Sequence, residues 1–153
     1  MKGKHDERHL ARTVALATMF CLLFDDNKTE ECLSISKENL GMQSGEWDEP
    51  LAQKIIRGVQ KNEEKIAEII RTCAPQWPLD KIFKIDLVIL EIAIYELLFD
   101  DEAPEKVAVD EAVELAKEFG NDTSSKFVNG VLGTVLENKE LYVPKENTEN
   151  NNQ

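Results

Sequence analysis

Residues 85–98 read Ile-Asp-Leu-Val-Ile-Leu-Glu-Ile-Ala-Ile-Tyr-Glu-Leu-Leu, and this stretch decides the fold class. Wound as a helix, Ile85, Leu87, Val88, Ile89, Leu90, Ile92, Ala93, Ile94, Leu97 and Leu98 cover nearly the whole circumference. A helix that is apolar all round is a central one, covered by others. A buried β-strand is the competing reading, but the segment is too long and lacks alternation. We therefore expect a central helix from Asp86 to Phe99, ended by Asp100-Asp101-Glu102-Ala103-Pro104.

The flanking segments supply the elements that cover it. On the C-terminal side, Val109, Ala112, Val113 and Ala116 form one face of a helix that stops at Gly120. Asn121 to Ser125 offers cap residues for a last helix, with Phe127, Val128, Val131, Leu132, Val135 and Leu136 inward. Gly130 and Gly133 lie in that helix, each costing about 1 kcal/mol against alanine. They predict a close backbone approach by a neighbouring helix or by a ligand. On the N-terminal side, Leu51, Ile55, Val59, Ile66 and Ile70 keep helical period from a cap at Asp48 or Glu49 to about Ala74. Pro75 and Pro78, flanking Trp77, end that helix, and a brief helical turn at 79–83 follows. Residues 29–41 predict a short helix. The first, at about 6–25, shows Leu10, Val14, Ala17, Cys21 and Phe24 on one face and is widened by Leu16, Phe20 and Leu23. It should be buried over much of its girth. The whole predicts an all-α bundle over residues 1–143 with a disordered polar tail at 144–153.

Composition excludes several classes. The 153 residues suffice for one domain, and 42% apolar content is far from that of a disordered chain. Lys2, Lys4, Arg8 and Arg12 precede an apolar run at 14–24, which imitates an export signal. As a helix that run spans roughly 17 Å, short of a hydrocarbon core of about 30 Å. Asp25-Asp26-Asn27-Lys28 stands where a cleavage site would be, so a buried helix in a cytoplasmic protein is expected. Cys21, Cys32 and Cys73, odd in number and without a CxxC pair, read as reduced core thiols. His5 and His9 share a helix face, but His-Asp-Glu-Arg-His lacks the glutamate placement of a zinc protease, and no third histidine exists. A solvated helix start is the reading; no metal, cofactor or catalytic centre is predicted. Residues 1–12 hold four Lys/Arg against two acids, so of the net −12 the other 141 residues carry −14. A basic terminus on an acidic body suits local contact with a polyanion.

Three motifs in order carry a resemblance. They are Ile89 to Leu98, Pro104-x-Lys-Val-Ala-Val-Asp-Glu-Ala-Val-Glu-Leu-Ala-Lys-x-Phe-Gly120, and Ser125-Lys-Phe-Val-Asn-Gly-Val-Leu132. Together they resemble the NusB family of bacterial transcription antitermination factors, closely over about residues 79–136 and more loosely over nearly the whole chain. The resemblance implies a helical bundle of about six to seven helices in two packed halves. It implies binding of boxA-type single-stranded RNA together with NusE, a small-subunit ribosomal protein, so that RNA polymerase passes terminators. It assigns RNA contact to Lys2, Lys4, Arg8 and Arg12 and to Thr123, Ser124, Lys126, Phe127 and Asn129, and partner contact to Phe20 and Asp86.

These residue types fit that task, because a single strand offers phosphates to Lys and Arg and unstacked bases to aromatic rings. Phe127 has two readings, a stacking ring or a core residue sharing a face with Val131. The chain departs from the family pattern at Ala17, Glu91, Asp110 and Gly133, and Asp6, Glu7 and His9 dilute its basic start. The alternative function is a NusB-like interaction module, dimeric or docked on another protein, with little RNA affinity of its own. The helical domain that precedes rRNA cytosine methyltransferases is a third relative, disfavoured because no catalytic domain follows.

Overall fold

A computed structural model describes residues 4–24, 28–42 and 45–142, with side chains from residue 7 onward in the first segment. The chain forms α1 (Lys4–Phe24), α2 (Thr29–Asn39), α3 (Glu49–Lys61), α4 (Glu63–Cys73), α5 (Lys84–Ile94), α6 (Glu105–Phe119), α7 (Ser124–Glu137) and a short α8 (Lys139–Tyr142). A 3-10 turn at Leu79–Lys81 precedes α5, and a widened π-helical turn at Tyr95–Phe99 continues it. Among the described residues there is no strand, and no helix is long and apolar enough to cross a membrane.

α5 is central, as its composition demands. Val88, Ile89, Leu90, Ile92, Ala93 and Ile94 are buried, and α1, α3, α4, α6 and α7 all pack on it. One continuous apolar core joins these helices. Local chemistry sets several boundaries. The Asp48 carboxylate accepts from the Leu51 N–H at 3.1 Å with Pro50 in the first turn, which starts α3.

The single helix expected from about 48 to 74 is instead two. Asn62 sits between α3 and α4, and its side-chain amide donates to the Gly58 carbonyl at 2.8 Å. That amide competes with the helix for an acceptor, a property of Asn that periodicity alone does not register. The close backbone approach expected at Gly130 and Gly133 is elsewhere too. Nothing lies within 4 Å of a Cβ built at either position, whereas one built at Gly58 would overlap the Tyr95 ring. Gly58 thus lets α3 close onto the π turn.

The cysteines also correct an expectation. Cys21 and Cys32 form a disulfide, with Cα atoms 5.9 Å apart, where α2 folds back along the end of α1. An odd count concealed the pair; only Cys73 is a free thiol, and it is buried.

Among the described residues, the bundle encloses one charged pair and half-buries one carboxylate that has no cation beside it. Arg12 is 3% exposed and Glu96 2%, and they form a bidentate ion pair (Nε to Oε1 and Nη2 to Oε2, both 2.8 Å). This overturns the expectation that Arg12 meets RNA: its guanidinium is spent inside the bundle, tying α1 to the π turn. Glu91 is the reverse case, half-buried on α5, with its carboxyl pushed up to about 7 by burial first and by the charge of Glu63 second.

Two expectations follow. Arg12→Ala leaves Glu96 buried without its cation, and should cost about 3–5 kcal/mol in urea unfolding. A loss below about 1 kcal/mol would show the pair to be peripheral. Glu91 has a folded pKa near 7 against 4.5 unfolded, so its penalty on folding grows from pH 4.5 and is complete above about pH 7. Glu91→Gln should therefore melt above the wild type at pH 8, with the gap closing by pH 4.5.

Candidate nucleic-acid interface

The start of α7 is built by a tight loop. Gly120 ends α6, and Asn121 then organises the turn: its side-chain oxygen accepts from the Thr123 N–H at 2.9 Å and from the Thr123 hydroxyl at 2.9 Å. The Ser124 hydroxyl donates to the same oxygen at 3.2 Å and accepts from the Asn121 N–H at 2.9 Å. Ser124 is fully buried, so its hydroxyl holds the loop and is not a free RNA contact. Thr123, Lys126 and Asn129 remain exposed on the outer side of this start.

Opposite lies the segment between α4 and α5. Pro75 and Pro78 hold Trp77 outward, 51% exposed, with its ring edge-to-face against Phe127 at 6.2 Å. Both readings of Phe127 are thereby met in part. It is half-buried and packs on the core, yet it lines a surface groove of about 470 Å³. Trp77, Ile82, Phe83 and Phe127 make the apolar walls of that groove, Lys81 and Lys126 its cationic rim. Asp86, in the first turn of α5, is 4% exposed at the groove's inner surface. Burial pushes its carboxyl up from the ordinary range, the nearby Ser124 hydroxyl opposes that shift, and Oδ1 has no partner among the described residues. Lys126 also borders a second groove with Lys117, Ser125 and Asn129.

Aromatic faces beside cations, at a helix start with exposed polar groups, match the demands of a single nucleic-acid strand. The NusB family model matches residues 9–137. The chain belongs to the NusB family. The transcription antitermination protein NusB of Clostridium novyi (strain NT) is 39% identical over 129 residues, covering 84% of this chain and 97% of that relative. The same protein of Herpetosiphon aurantiacus is 39% identical over 138 residues, 87% of this chain and 92% of the relative. T. maritima NusB superposes with a TM-score of 0.76 at 30% identity, covering 97% of this chain and 99% of that one. A structure of the antitermination factors NusB and NusE with dsRNA has a TM-score of 0.73 at 20% identity, over 84% of this chain and 95% of that one, and shares the fold.

In this NusB-family chain the described parts of the two expected RNA segments do not share a groove. Arg8 is exposed, but it lines a separate hollow of about 240 Å³ whose other walls include Lys54, Asp48, Asp100 and Glu102. Lys2 and residues 144–153 lie outside the described residues, as does the side chain of Lys4. Phe20 is half-buried near the end of α1, edge-to-face with Phe24 at 4.9 Å, whereas Asp86 belongs to the α7 groove. Trp77, Lys81 and Phe83 were not singled out as site residues by the sequence. A tryptophan between two prolines was the available signal, since such a segment cannot turn the ring into a regular helix face.

His9 is not the solvated helix start expected of it. Nδ1 lies 2.7 Å from Glu111 and Nε2 2.5 Å from Glu118, both on α6. The hydrogen bond with Glu111 is the largest influence and burial opposes it; together with Glu118 the balance raises the imidazole to about 9. His9 is therefore a cation at neutral pH, neutralised locally by two carboxylates. A folded pKa raised above the unfolded 6.5 gives stability that is complete below about pH 6.5 and lost as pH rises through about 9. The wild type should lose its margin over His9→Gln across that window in thermal unfolding. Parallel pH curves for the two proteins would refute the clamp.

Proposed function

We propose that this chain is an RNA-binding transcription antitermination factor. In this reading it engages boxA-type single-stranded RNA together with NusE and serves RNA polymerase during ribosomal RNA transcription. It acts by binding alone, in the bacterial cytoplasm, without catalysis. The curated relatives carry the antitermination name over most of their length, and a NusB–NusE assembly with RNA shares the fold. The observation that carries the reading is the α7 groove, where Phe127 and Trp77 present ring surface beside Lys81 and Lys126. Phe127 stacks on a base while Lys126 and Arg8 meet phosphates, and Thr123 and Asn129 add polar contacts along the strand.

The acidic body repels the strand, so the protein alone binds weakly and a basic partner strengthens binding by offsetting that field. Phe20 at the end of α1 and Asp86 at the start of α5 are the contacts proposed for that partner. Phe24, 64% exposed and edge-to-face with Phe20, extends the apolar surface there. The test is a salt titration of boxA-like RNA against the protein–NusE complex. Lys126→Ala and Arg8→Ala should each lower the salt slope of log K by about 0.7. Phe127→Ala should weaken binding by about 1–3 kcal/mol at unchanged slope. If the wild type and all three variants give one line, the RNA does not touch these residues, and a protein-interaction module takes the place of this reading.

A further inference from the structure

The Cys21–Cys32 bond fastens the least anchored of the helices α1 to α7, and nothing in RNA binding uses it. α2 packs chiefly on α1, whereas α3, α4, α5, α6 and α7 each pack on several neighbours. Of its 11 residues only Cys32, Leu33 and Ser36 are buried, so Leu33 is the single large apolar side chain that α2 commits to the core. Two polar ties to α3 lie at the surface: Lys37 Nζ to Glu49 Oε1 at 2.5 Å and Gln60 Nε2 to Thr29 Oγ1 at 2.9 Å. Contacts of that kind contribute little in water. With so few buried apolar contacts, α2 has the character of a segment that opens locally once its covalent tie is cut.

The tie is also open to exchange. Cys21 is half-buried at the end of α1 while Cys32 is 0% exposed, so Cys21 is the sulfur that an incoming thiolate meets first. Cys73, the remaining thiol, is buried on α4 with its Sγ 3.3 Å from the Tyr142 hydroxyl. The proposed function places the chain in a bacterial cytoplasm, where glutathione and thioredoxin-type dithiols keep cysteines reduced. A disulfide found there is usually transient, and serves catalysis or redox sensing.

We infer that Cys21–Cys32 is a reversible thiol–disulfide switch: oxidised, it fixes α2 against the end of α1 and presents Phe20 and Phe24 to the basic partner; reduced, it frees α2. The reductant is a dithiol of the thioredoxin class. One of its thiolates attacks Cys21 Sγ, the Cys21–Cys32 bond breaks, and Cys32 leaves as a thiolate that takes up a proton. The second reductant thiolate then attacks the reductant sulfur of the mixed disulfide, and Cys21 leaves in the same way. Two electrons and two protons pass to the chain, which gains two thiols, while the reductant becomes a disulfide. Oxidised glutathione, a small disulfide, runs the exchange in reverse and is itself reduced to two thiols. The link to the partner is pre-organisation, because an α1 end held by α2 has less freedom to lose on docking. That link rests on the proposed function; the exchange chemistry does not.

The test compares the full chain oxidised by glutathione disulfide with the same chain reduced by thioredoxin, its reductase and NADPH. Free thiols are alkylated and counted by mass spectrometry, and amide hydrogen exchange is followed in both states. Cys21 and Cys32 should be reduced within minutes without denaturant. The amides of α2 should then exchange at least about tenfold faster, with those of α5, α6 and α7 unchanged. Cys73→Ala should respond as the wild type does, and Cys21→Ser should exchange like the reduced wild type under either condition. NusE should bind the oxidised chain several-fold more tightly than the reduced one.

A bond that thioredoxin cuts only after the chain is unfolded is purely structural and overturns the switch. So does equal α2 exchange in the two states, or a redox response that disappears in Cys73→Ala. NusE bound equally by both states, with α2 exchange differing, overturns control of the partner. If NusE binds neither state, the functional reading fails, and the thiol count and hydrogen exchange still decide the switch.

Discussion

The Arg12–Glu96 pair joins the first helix to the end of the central one, and much of the bundle's geometry depends on that join. Both are at most 3% exposed, so water cannot satisfy either charge. The π turn at Tyr95–Phe99 is part of the same device. By accommodating an extra residue it turns Tyr95, Glu96 and Leu97 inward together. Glu96 then reaches Arg12, while the Tyr95 ring settles over Gly58 of α3. A few residues away, Glu111 extends the network: it meets His9 at 2.7 Å and stands 4.0 Å from Arg12. One face of α1 is therefore committed to α5 and α6 by charge as well as by apolar contact.

That commitment explains what the sequence disclosed and what it withheld. The central position of α5 was legible because ten apolar side chains in fourteen residues leave no polar face. Arg12 in α1 and Glu96 in the π turn that continues α5 could have been read as partners by the same logic. A helix buried over most of its girth has no room for a solvated arginine, and Ala11, Val14 and Ala15 around Arg12 are all fully buried. Family resemblance pulled the other way, because it treated the basic start as one unit. Arg8 and Arg12 are one turn apart in sequence, yet one is exposed and the other enclosed. Charge alone does not separate them; the width of the apolar stripe does.

Other features were withheld for different reasons. The Cys21–Cys32 bond depends on how α2 returns against α1, a tertiary fact that spacing does not encode. The break at Asn62 turns on one side-chain amide competing for the Gly58 carbonyl, invisible to a reading based on period. At the candidate site, the α7 residues came from a linear motif and were found. Their counterparts Trp77, Lys81 and Phe83 come from the segment before α5 and reach the same groove only through the packing of α5 against α7.

The groove and the net charge together set the kind of RNA binding this chain can support. A body whose −14 is offset only by the +2 of residues 1–12 opposes a phosphate strand, but at physiological salt that field decays over about 8 Å. Two lysines at one groove offer few phosphate contacts, so counterion release supplies little of the affinity. Stacking on Trp77 and Phe127 works at contact range and is indifferent to the distant charge. The acidic residues that weaken phosphate binding also favour a basic protein partner, whose own cations then face the strand. Under the proposed function the labour divides: ring stacking is the contribution of this chain, and a basic partner supplies the positive charge that the body lacks.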